Sequence, residues 1–281
     1  MHYVTHGDPT APCVVLVHGM RDHARSWDWV AAALADRFHV VAPDLRGHGD
    51  SSQEGAAGYS MAAFVLDLAI LIDALALGTI GLVGHSLGGA IAIRYAGAFP
   101  DRLAGLCAIE SVELPIVREE REAPTPFPER LAAWIAAERD LRRRPPRSYG
   151  SFAEAEVRMA EGQPDLDTDT IAHLVRHGMF HQADGSLRWK YDNAARRRAP
   201  DDADGRDLDQ TLAAITCPTM LAYGEASWIP LPPPERLARI RDHRIVAFPG
   251  ASHWLHHQSR AAFLAALNPF LDVSIKGHHH A

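Results

Sequence analysis

The residues best suited to chemistry lie in the sequence Gly-His-Ser-Leu-Gly-Gly at residues 84–89. An apolar run at residues 79–83 precedes this motif, and a helix-like run at residues 90–99 follows it. The pattern predicts a strand, a sharp turn with Ser86 at its apex, and a helix. The flanking glycines suit such a turn, because the strand and the helix come too close there for side chains. A serine presented in this way at a helix N-terminus is suited to nucleophilic attack on a carbonyl carbon.

Strands and helices alternate on both sides of this motif. Apolar, β-branched runs predict strands at residues 13–17, 38–42, 79–83, 102–109, 219–223 and 244–248. Helical spacing of apolar residues predicts helices between them, and residues 1–5 could add an edge strand. Such alternation is typical of an α/β fold with a mostly parallel central sheet and helices on both faces.

Residues 114–210 interrupt the alternation. They contain helix-like pieces separated by breaks rich in proline and glycine. An insertion after a strand lies above the carboxyl ends of the strands, where open α/β sheets bind ligands, so we expect a helical lid. The predicted organisation is a core at 1–113, the lid at 114–210, the rest of the core at 211–272 and a tail at 273–281 without functional role.

Composition narrows the function classes. The chain has 281 residues, 47% of them hydrophobic and 22% charged, with a net charge of −7. This charge argues against nucleic acid or an anionic membrane as a partner. There is no basic and apolar leader at the start and no apolar run long enough for a membrane span, so we expect a cytoplasmic protein. The three cysteines lie in or beside apolar strand-like runs, which predicts buried thiols rather than disulfides.

Four segments together resemble the α/β-hydrolase fold superfamily, in particular its lid-bearing serine hydrolases of the carboxylesterase type. They are His18-Gly19, Asp-Leu-Arg-Gly-His-Gly at 44–49, the turn around Ser86, and Gly-Ala-Ser-His at 250–253. The resemblance covers nearly the whole chain outside the lid. It implies the α/β-hydrolase fold with an inserted helical lid, and neither a metal nor a cofactor.

The resemblance also implies roles for individual residues. Ser86 would be the nucleophile of a nucleophile elbow, and His253 would be its general base. The backbone N–H groups of Met20 and Leu87 would form the oxyanion hole. His85, beside the nucleophile, is predicted to be a packing residue.

The acidic member of the catalytic triad departs from the common family pattern. Ser227 occupies the position where the usual aspartate stands, and a serine cannot be the charged partner of an imidazolium. Two carboxylates could replace it, Glu110 and Glu225. We favour Glu110, because some family members carry the acid at the end of that strand and because a carboxylate ending a buried run is costly without a partner.

A serine at the elbow argues against the haloalkane dehalogenases and epoxide hydrolases of this fold, which use an aspartate there. Hydrolysis of a small, mostly apolar carboxylic ester, thioester or lactone through an acyl-enzyme is the leading expectation. Hydrolysis of a carbon–carbon bond in diketone-type substrates is an alternative, and a non-catalytic ligand receptor on the same fold is another. The expected partner is a small-molecule substrate, and the expected assembly is a monomer or homodimer. The residues expected to line the substrate site are Trp27, Trp134, Trp228 and Trp254.

Overall fold

Strands and helices alternate along the chain, which a computed structural model describes over residues 1–54, 58–113, 125–144, 146–196, 200, 202 and 205–278. The strands are β1 (Tyr3–His6), β2 (Cys13–Val17), β3 (His39–Pro43), β4 (Ile80–His85), β5 (Leu103–Ile109), β6 (Met179–His181), β7 (Leu187–Trp189), β8 (Thr219–Gly224) and β9 (His243–Phe248). The helices are α1 (Asp28–Leu34), α2 (Met61–Ala74), α3 (Leu87–Ala98), α4 (Phe127–Arg143), α5 (Phe152–Gly162), α6 (Thr168–Gly178), α7 (Gly205–Ala214), α8 (Pro234–Leu237), α9 (Leu255–Gln258) and α10 (Arg260–His278).

The central sheet has the strand order β1-β3-β2-β4-β5-β8-β9. The edge strand β1 is antiparallel to β3, and the other neighbouring strands are parallel. This confirms the predicted mostly parallel sheet. Because β2, β4, β5, β8 and β9 run in one direction, their carboxyl ends meet at one edge, where ligands bind in such sheets.

Both faces of the sheet are covered, and the sequence of β2 shows why. Val15 and Val17 pack into the apolar cluster that contains α2 and α3, whereas Val14 and Leu16 pack into the cluster that contains α1 and α10. All four side chains are fully buried. Successive side chains of a strand point to opposite faces, so a strand between two helical layers is apolar throughout.

The segment inserted after β5 carries helices α4, α5 and α6, as the sequence predicted, and also an unpredicted hairpin of β6 and β7. Each of these strands has three residues, too few to show an alternating pattern. Gly185, in the connection between them, has a φ of 84°, a conformation that favours glycine. A small apolar cluster, including Tyr149, Leu174 and Leu187, holds α5, α6 and the hairpin together.

The two later boundaries differ from the sequence prediction. Helix α7 was not predicted, and the expected lid boundary at residue 210 falls inside it. It packs against α3 so closely that a Cβ on Gly97 would lie 2.7 Å from Thr211. The tail predicted to begin at residue 273 is wrong in its first part, because α10 continues to residue 278. Ile275 is buried and packs over Gly81 of the central sheet, which ties this turn to the core.

The three cysteines agree with the prediction of buried thiols. Cys13, Cys107 and Cys217 are buried free thiols, and burial raises the pKa of Cys13 to about 12. In the described part of the chain, no helix combines the length and the apolar character that crossing a bilayer requires.

Buried histidines surround the carboxyl edge of the sheet. Burial is the main cause that lowers the pKa of six of them: His18, His23, His48, His85, His256 and His257. Neither ring nitrogen of His256 has a hydrogen-bond partner among the described residues. These rings are neutral in the folded protein near pH 7, since a charged imidazole is costly in a dry site. Asp22 acts in the opposite sense, because burial raises its pKa to about 7.

Gly88→Ala should destabilise the protein by about 1–3 kcal/mol, because the new Cβ would overlap with the backbone of Val17 and His18. A Cβ at Gly88 would lie 2.3 Å from the carbonyl oxygen of Val17. Gly162 is the control, since it also lies in a helix, as the last residue of α5, but has nothing within 4 Å of its Cβ position. Gly162→Ala should be neutral or stabilising by up to about 1 kcal/mol. Urea unfolding of both variants measures the difference, and equal stabilities would contradict this account of the turn.

Acid should destabilise the fold below about pH 6.5, the ordinary pKa of histidine. Below this pH the unfolded chain binds protons that the buried imidazoles of the folded chain do not bind. The free energy of unfolding therefore decreases as the pH decreases. Asp22 offsets one of these protons between pH 3.8, its ordinary pKa, and about pH 7, because there its carboxyl group is protonated in the folded chain and ionised in the unfolded chain. His256→Phe should reduce the slope of the free energy of unfolding against pH by about 1.4 kcal/mol per pH unit. Denaturant unfolding between pH 4.5 and 6 measures this slope.

The exposed His181 provides the control for this titration. His181→Phe should leave the pH dependence of the free energy of unfolding unchanged, because this side chain is exposed to solvent in the folded chain. Identical slopes for the His256 variant and the native chain would show that His256 is protonated in the folded protein.

Candidate active site

Ser86 stands at the sharp turn between β4 and α3. Its backbone angles are φ 52° and ψ −116°, a conformation rare for a residue with a side chain. The turn is tight, because a Cβ on Gly84 would lie 2.4 Å from the carbonyl oxygen of Gly88. Helix α3 begins directly at Leu87, earlier than the predicted start at residue 90. The Leu87 N–H therefore belongs to the first turn of the helix, where no intrahelical acceptor is available.

Glu110 and His253 meet at the carboxyl edge of the sheet. The Nδ1–H of His253 donates a hydrogen bond of 2.6 Å to Oε2 of Glu110. Glu110 directly follows β5 and is fully buried, with a φ of 50°. The positive φ turns the chain at the end of the strand. Of the two carboxylates that the sequence left open, Glu110 is thus the one that contacts His253.

Ser227 contacts the same carboxylate. Its hydroxyl donates to Oε2 of Glu110 at 2.6 Å, and the N–H of Gly224 donates to Oε1 at 2.8 Å. The Ser227 hydroxyl in turn accepts from the N–H of Ile229 at 3.1 Å. Sequence reasoning treated Ser227 only as a missing acid. The structure shows that this residue is a hydrogen-bond donor to an acid on the neighbouring strand, which no local pattern signals.

Glu225 lies apart from this arrangement. Its side chain is exposed, and within the described ranges it makes neither a hydrogen bond nor an ion pair. Its backbone N–H donates to the carbonyl of Phe248, which fixes the loop after β8 and turns the side chain towards solvent.

His18 orients the loop that carries Met20. Its Nδ1–H donates to the carbonyl of Gly19 at 2.7 Å, and its Nε2 accepts from the N–H of Leu45 at 3.0 Å. These partners assign one neutral tautomer, and burial lowers the pKa of His18 to about 3. The loop passes close to the nucleophile, because a Cβ on Gly19 would lie 3.4 Å from Cβ of Ser86. Sequence reasoning quoted His18 as part of a motif but did not assign it this function.

His85 supports the loop of His253 through a hydrogen bond to the backbone of that loop. Its Nε2–H donates to the backbone carbonyl of His253 at 2.8 Å, and the two rings lie 4.6 Å apart. Burial and the nearby imidazole of His253 lower the pKa of His85 well below its ordinary value. The residue therefore stays neutral and positions the backbone of its neighbour, which agrees with the predicted packing role.

The four tryptophans expected at the site lie in different surroundings. Trp27 is fully buried, with its ring 4.7 Å from that of His256. Trp228 is 66% exposed, and its ring lies 5.0 Å from that of His253. Trp134 is half-buried on α4. Trp254 lines a cavity beside the site, so the structure brings Trp228 and Trp254 to the candidate centre and leaves Trp27 in the core.

This cavity has a volume of about 450 Å³ and lies between the Met20 loop, Trp254 and the inserted segment. Its walls combine aromatic rings with arginines, together with the apolar side chains of Met20, Pro146 and Met159. The lining residues are Met20, Arg21, Pro146, Arg147, Tyr149, Arg158, Met159, Gly162, Gln163, Arg188, Trp189, Tyr191, Asn193 and Trp254. Met20 is an expected oxyanion-hole residue and Trp254 directly follows His253, so the cavity borders the edge of the sheet that carries the candidate site.

The chain is similar to several known proteins. It is 28% identical over 268 residues to 2-(acetamidomethylene)succinate hydrolase of Mesorhizobium japonicum, covering 94% of this chain and 89% of that protein. A crystal structure of E-2-(acetamidomethylene)succinate hydrolase superposes with a TM-score of 0.75 and 28% identity over 96% of this chain and 94% of the other.

Two relatives from Mycobacterium tuberculosis match over shorter stretches. Lipase LipV is 34% identical over 179 residues, which is 62% of each chain. An uncharacterized protein is 43% identical over 97 residues, which is 34% of this chain and only 28% of that relative.

The sequence model of a whole family also matches most of the chain. The description of that model is "Alpha/beta hydrolase family", and it matches residues 14–267, which contain the elbow, Glu110 and His253. With the parallel sheet and the superposition above, this match shows that the chain belongs to the alpha/beta hydrolase family.

Proposed function

We propose that the protein hydrolyses carboxylic esters, or the related thioesters and lactones, through an acyl-enzyme formed on Ser86. The observation that carries the proposal is the 2.6 Å hydrogen bond between His253 and the buried Glu110. A histidine oriented in this way is the base that a serine nucleophile needs. Family membership and the similarity to a lipase support hydrolysis as the reaction class.

In the proposed acylation, Oγ of Ser86 attacks the ester carbonyl carbon while Nε2 of His253 takes the hydroxyl proton. The carbonyl oxygen becomes an oxyanion, which would accept hydrogen bonds from the backbone N–H groups of Met20 and Leu87. When the tetrahedral intermediate collapses, the bond to the leaving oxygen breaks and His253 returns its proton to that oxygen. The alcohol leaves, and the acyl group stays on Ser86.

Deacylation repeats these steps with water. His253 takes a proton from the attacking water, and the new oxyanion occupies the same hole. Collapse then releases the carboxylic acid and returns the proton to Ser86. Leu87 suits the role of donor because its N–H is at the helix N-terminus, where the dipole favours negative charge.

Glu110 would stabilise the imidazolium that forms in each step. It accepts from Gly224 and Ser227 as well as from His253, so its carboxylate is held in one orientation. We infer that Ser227 is a positioning residue, which compensates for the absence of an acid at its own place in the chain.

The inserted segment would act as a lid over this centre. It contributes Tyr149, Arg188 and Tyr191 to the cavity wall. Some of its contacts with the core are polar: the N–H of Asp192 donates to the carbonyl of Gly47 at 2.7 Å, and Lys190 pairs with Asp50. Others are apolar, because Ala194 and Ala195 pack into the buried cluster that contains α2 and α3.

A fluorophosphonate probe tests for an activated serine. The Ser86 oxygen should displace fluoride from phosphorus and become labelled, and Ser86→Ala should lose both the label and the hydrolysis of p-nitrophenyl esters. Intact-mass spectrometry measures the label. Absence of labelling in the native chain would favour the ligand-receptor alternative, and labelling with turnover only of a diketone substrate would favour carbon–carbon hydrolysis.

Glu110→Gln should lower kcat by about 10³- to 10⁴-fold, because an amide provides no negative charge and leaves His253 in the wrong tautomer. Glu225→Gln is the matched control and should have almost no effect, since that side chain is exposed. Steady-state kinetics on one ester, together with thermal unfolding of each variant, separates a catalytic defect from a folding defect. The reverse ranking would exclude Glu110 as the triad acid.

A further inference from the structure

The cavity beside Trp254 has a strongly basic wall. Four arginines line it, and none of the lining residues in the described ranges is an aspartate or a glutamate. This differs from the chain as a whole, whose net charge is −7. The cavity wall is therefore a local concentration of positive charge next to the candidate active site.

Most of this charge is not neutralised by a neighbouring carboxylate. Arg158 pairs with Glu161 at 2.7 Å. Arg21, Arg147 and Arg188 make no ion pair within the part of the chain that the structure describes. Three guanidinium groups in one cavity repel one another, and an anion between them would relieve this repulsion.

Arg188 gives the clearest indication of a ligand. Its side chain is half-buried on β7, and its Nε has no hydrogen-bond partner among the described residues. A buried guanidinium N–H costs free energy unless it meets an acceptor. Two carboxylates, Glu138 and Asp192, line an adjoining cavity that Arg188 also borders. Asp192 already accepts from Tyr59 and from the N–H of Ala194.

Arg21 connects the basic wall to the proposed reaction centre. It directly follows Met20 and has a φ of 62°, an unusual conformation for a residue with a side chain. Its guanidinium lies 5.4 Å from the centre of the Tyr191 ring, so an aromatic residue of the inserted segment holds it over the cavity.

We propose that this cavity binds an oxyanion group of the substrate, a carboxylate or a phosphate. This group would lie at the end of the substrate remote from the scissile bond. The guanidinium fork matches both groups, since it can donate two parallel hydrogen bonds. The aromatic rings of Tyr149 and Trp189 would pack against the apolar spacer between the two ends. The proposal rests on the proposed ester hydrolysis and replaces the mostly apolar substrate expected from the sequence with an anionic one.

A matched pair of esters tests the charge preference. Mono-p-nitrophenyl adipate and p-nitrophenyl hexanoate have acyl chains of equal carbon number, and only the first ends in a carboxylate. We expect a kcat/KM for the adipate ester about 10- to 100-fold higher, which corresponds to a charged hydrogen bond. The preference should shrink as salt is added, because ions screen the attraction.

Arginine variants assign the preference to the cavity. Arg188→Gln and, independently, Arg21→Gln should each reduce the ratio of the two kcat/KM values by about tenfold. Arg239→Gln is the control, since Arg239 is exposed and does not line the cavity. Equal kcat/KM values for the two esters in the native chain, or a ratio that neither cavity variant changes, would overturn the proposal while ester hydrolysis stands.

Direct binding separates this proposal from the proposed function. Calorimetry on the Ser86→Ala variant compares the two esters without turnover, so it decides the anion site even if neither ester is hydrolysed. Tighter binding of the adipate ester supports the site, and equal binding contradicts it. Competition by adipate against competition by inorganic phosphate then identifies the oxyanion, and absence of competition by both would also contradict the site.

Discussion

The buried carboxylate of Glu110 is the constraint on which the candidate site depends. A charge at the end of a fully buried strand is tolerated only if every oxygen finds donors. The donors come from the end of β8, from Ser227 beyond it and from the loop after β9. Satisfying this one group therefore fixes the relative positions of several strand ends and orients His253.

Close backbone approach is the second condition. A Cβ on Gly224 would lie 2.3 Å from the carbonyl of Ala251, just as a Cβ on Gly88 would lie 2.3 Å from that of Val17. Glycine at these positions lets the loop of His253 approach the end of β8 and lets the loop of Met20 approach the elbow. Neutral histidines then replace water as local hydrogen-bond partners, as His18 and His85 do for the backbones beside them. Both of these histidines are buried, so the backbone next to Ser86 is held by hydrogen bonds within the protein.

The inserted segment contributes side chains that differ in chemical character from those of the central sheet. The central sheet is apolar on both faces and is common to the family, but the cavity wall facing it is basic and aromatic. Substrate selection would thus reside in residues of the insertion and in Arg21, and the chemistry in the strand ends. Such a division allows one arrangement of catalytic residues to act on different substrates when the inserted segment changes.

The sequence by itself determined the elbow, the alternation of strands and helices, and the family. These features are encoded locally, by glycine spacing and by apolar runs that specify strand, turn and helix. Only the tertiary structure decided that Glu110 meets His253, because the two residues are 143 positions apart and become neighbours through the order of β5, β8 and β9. The same reason hid the role of Ser227 and the basic cavity. Its arginines come from distant segments, and nothing in a linear pattern tells a solvated arginine from one that turns towards a shared cavity.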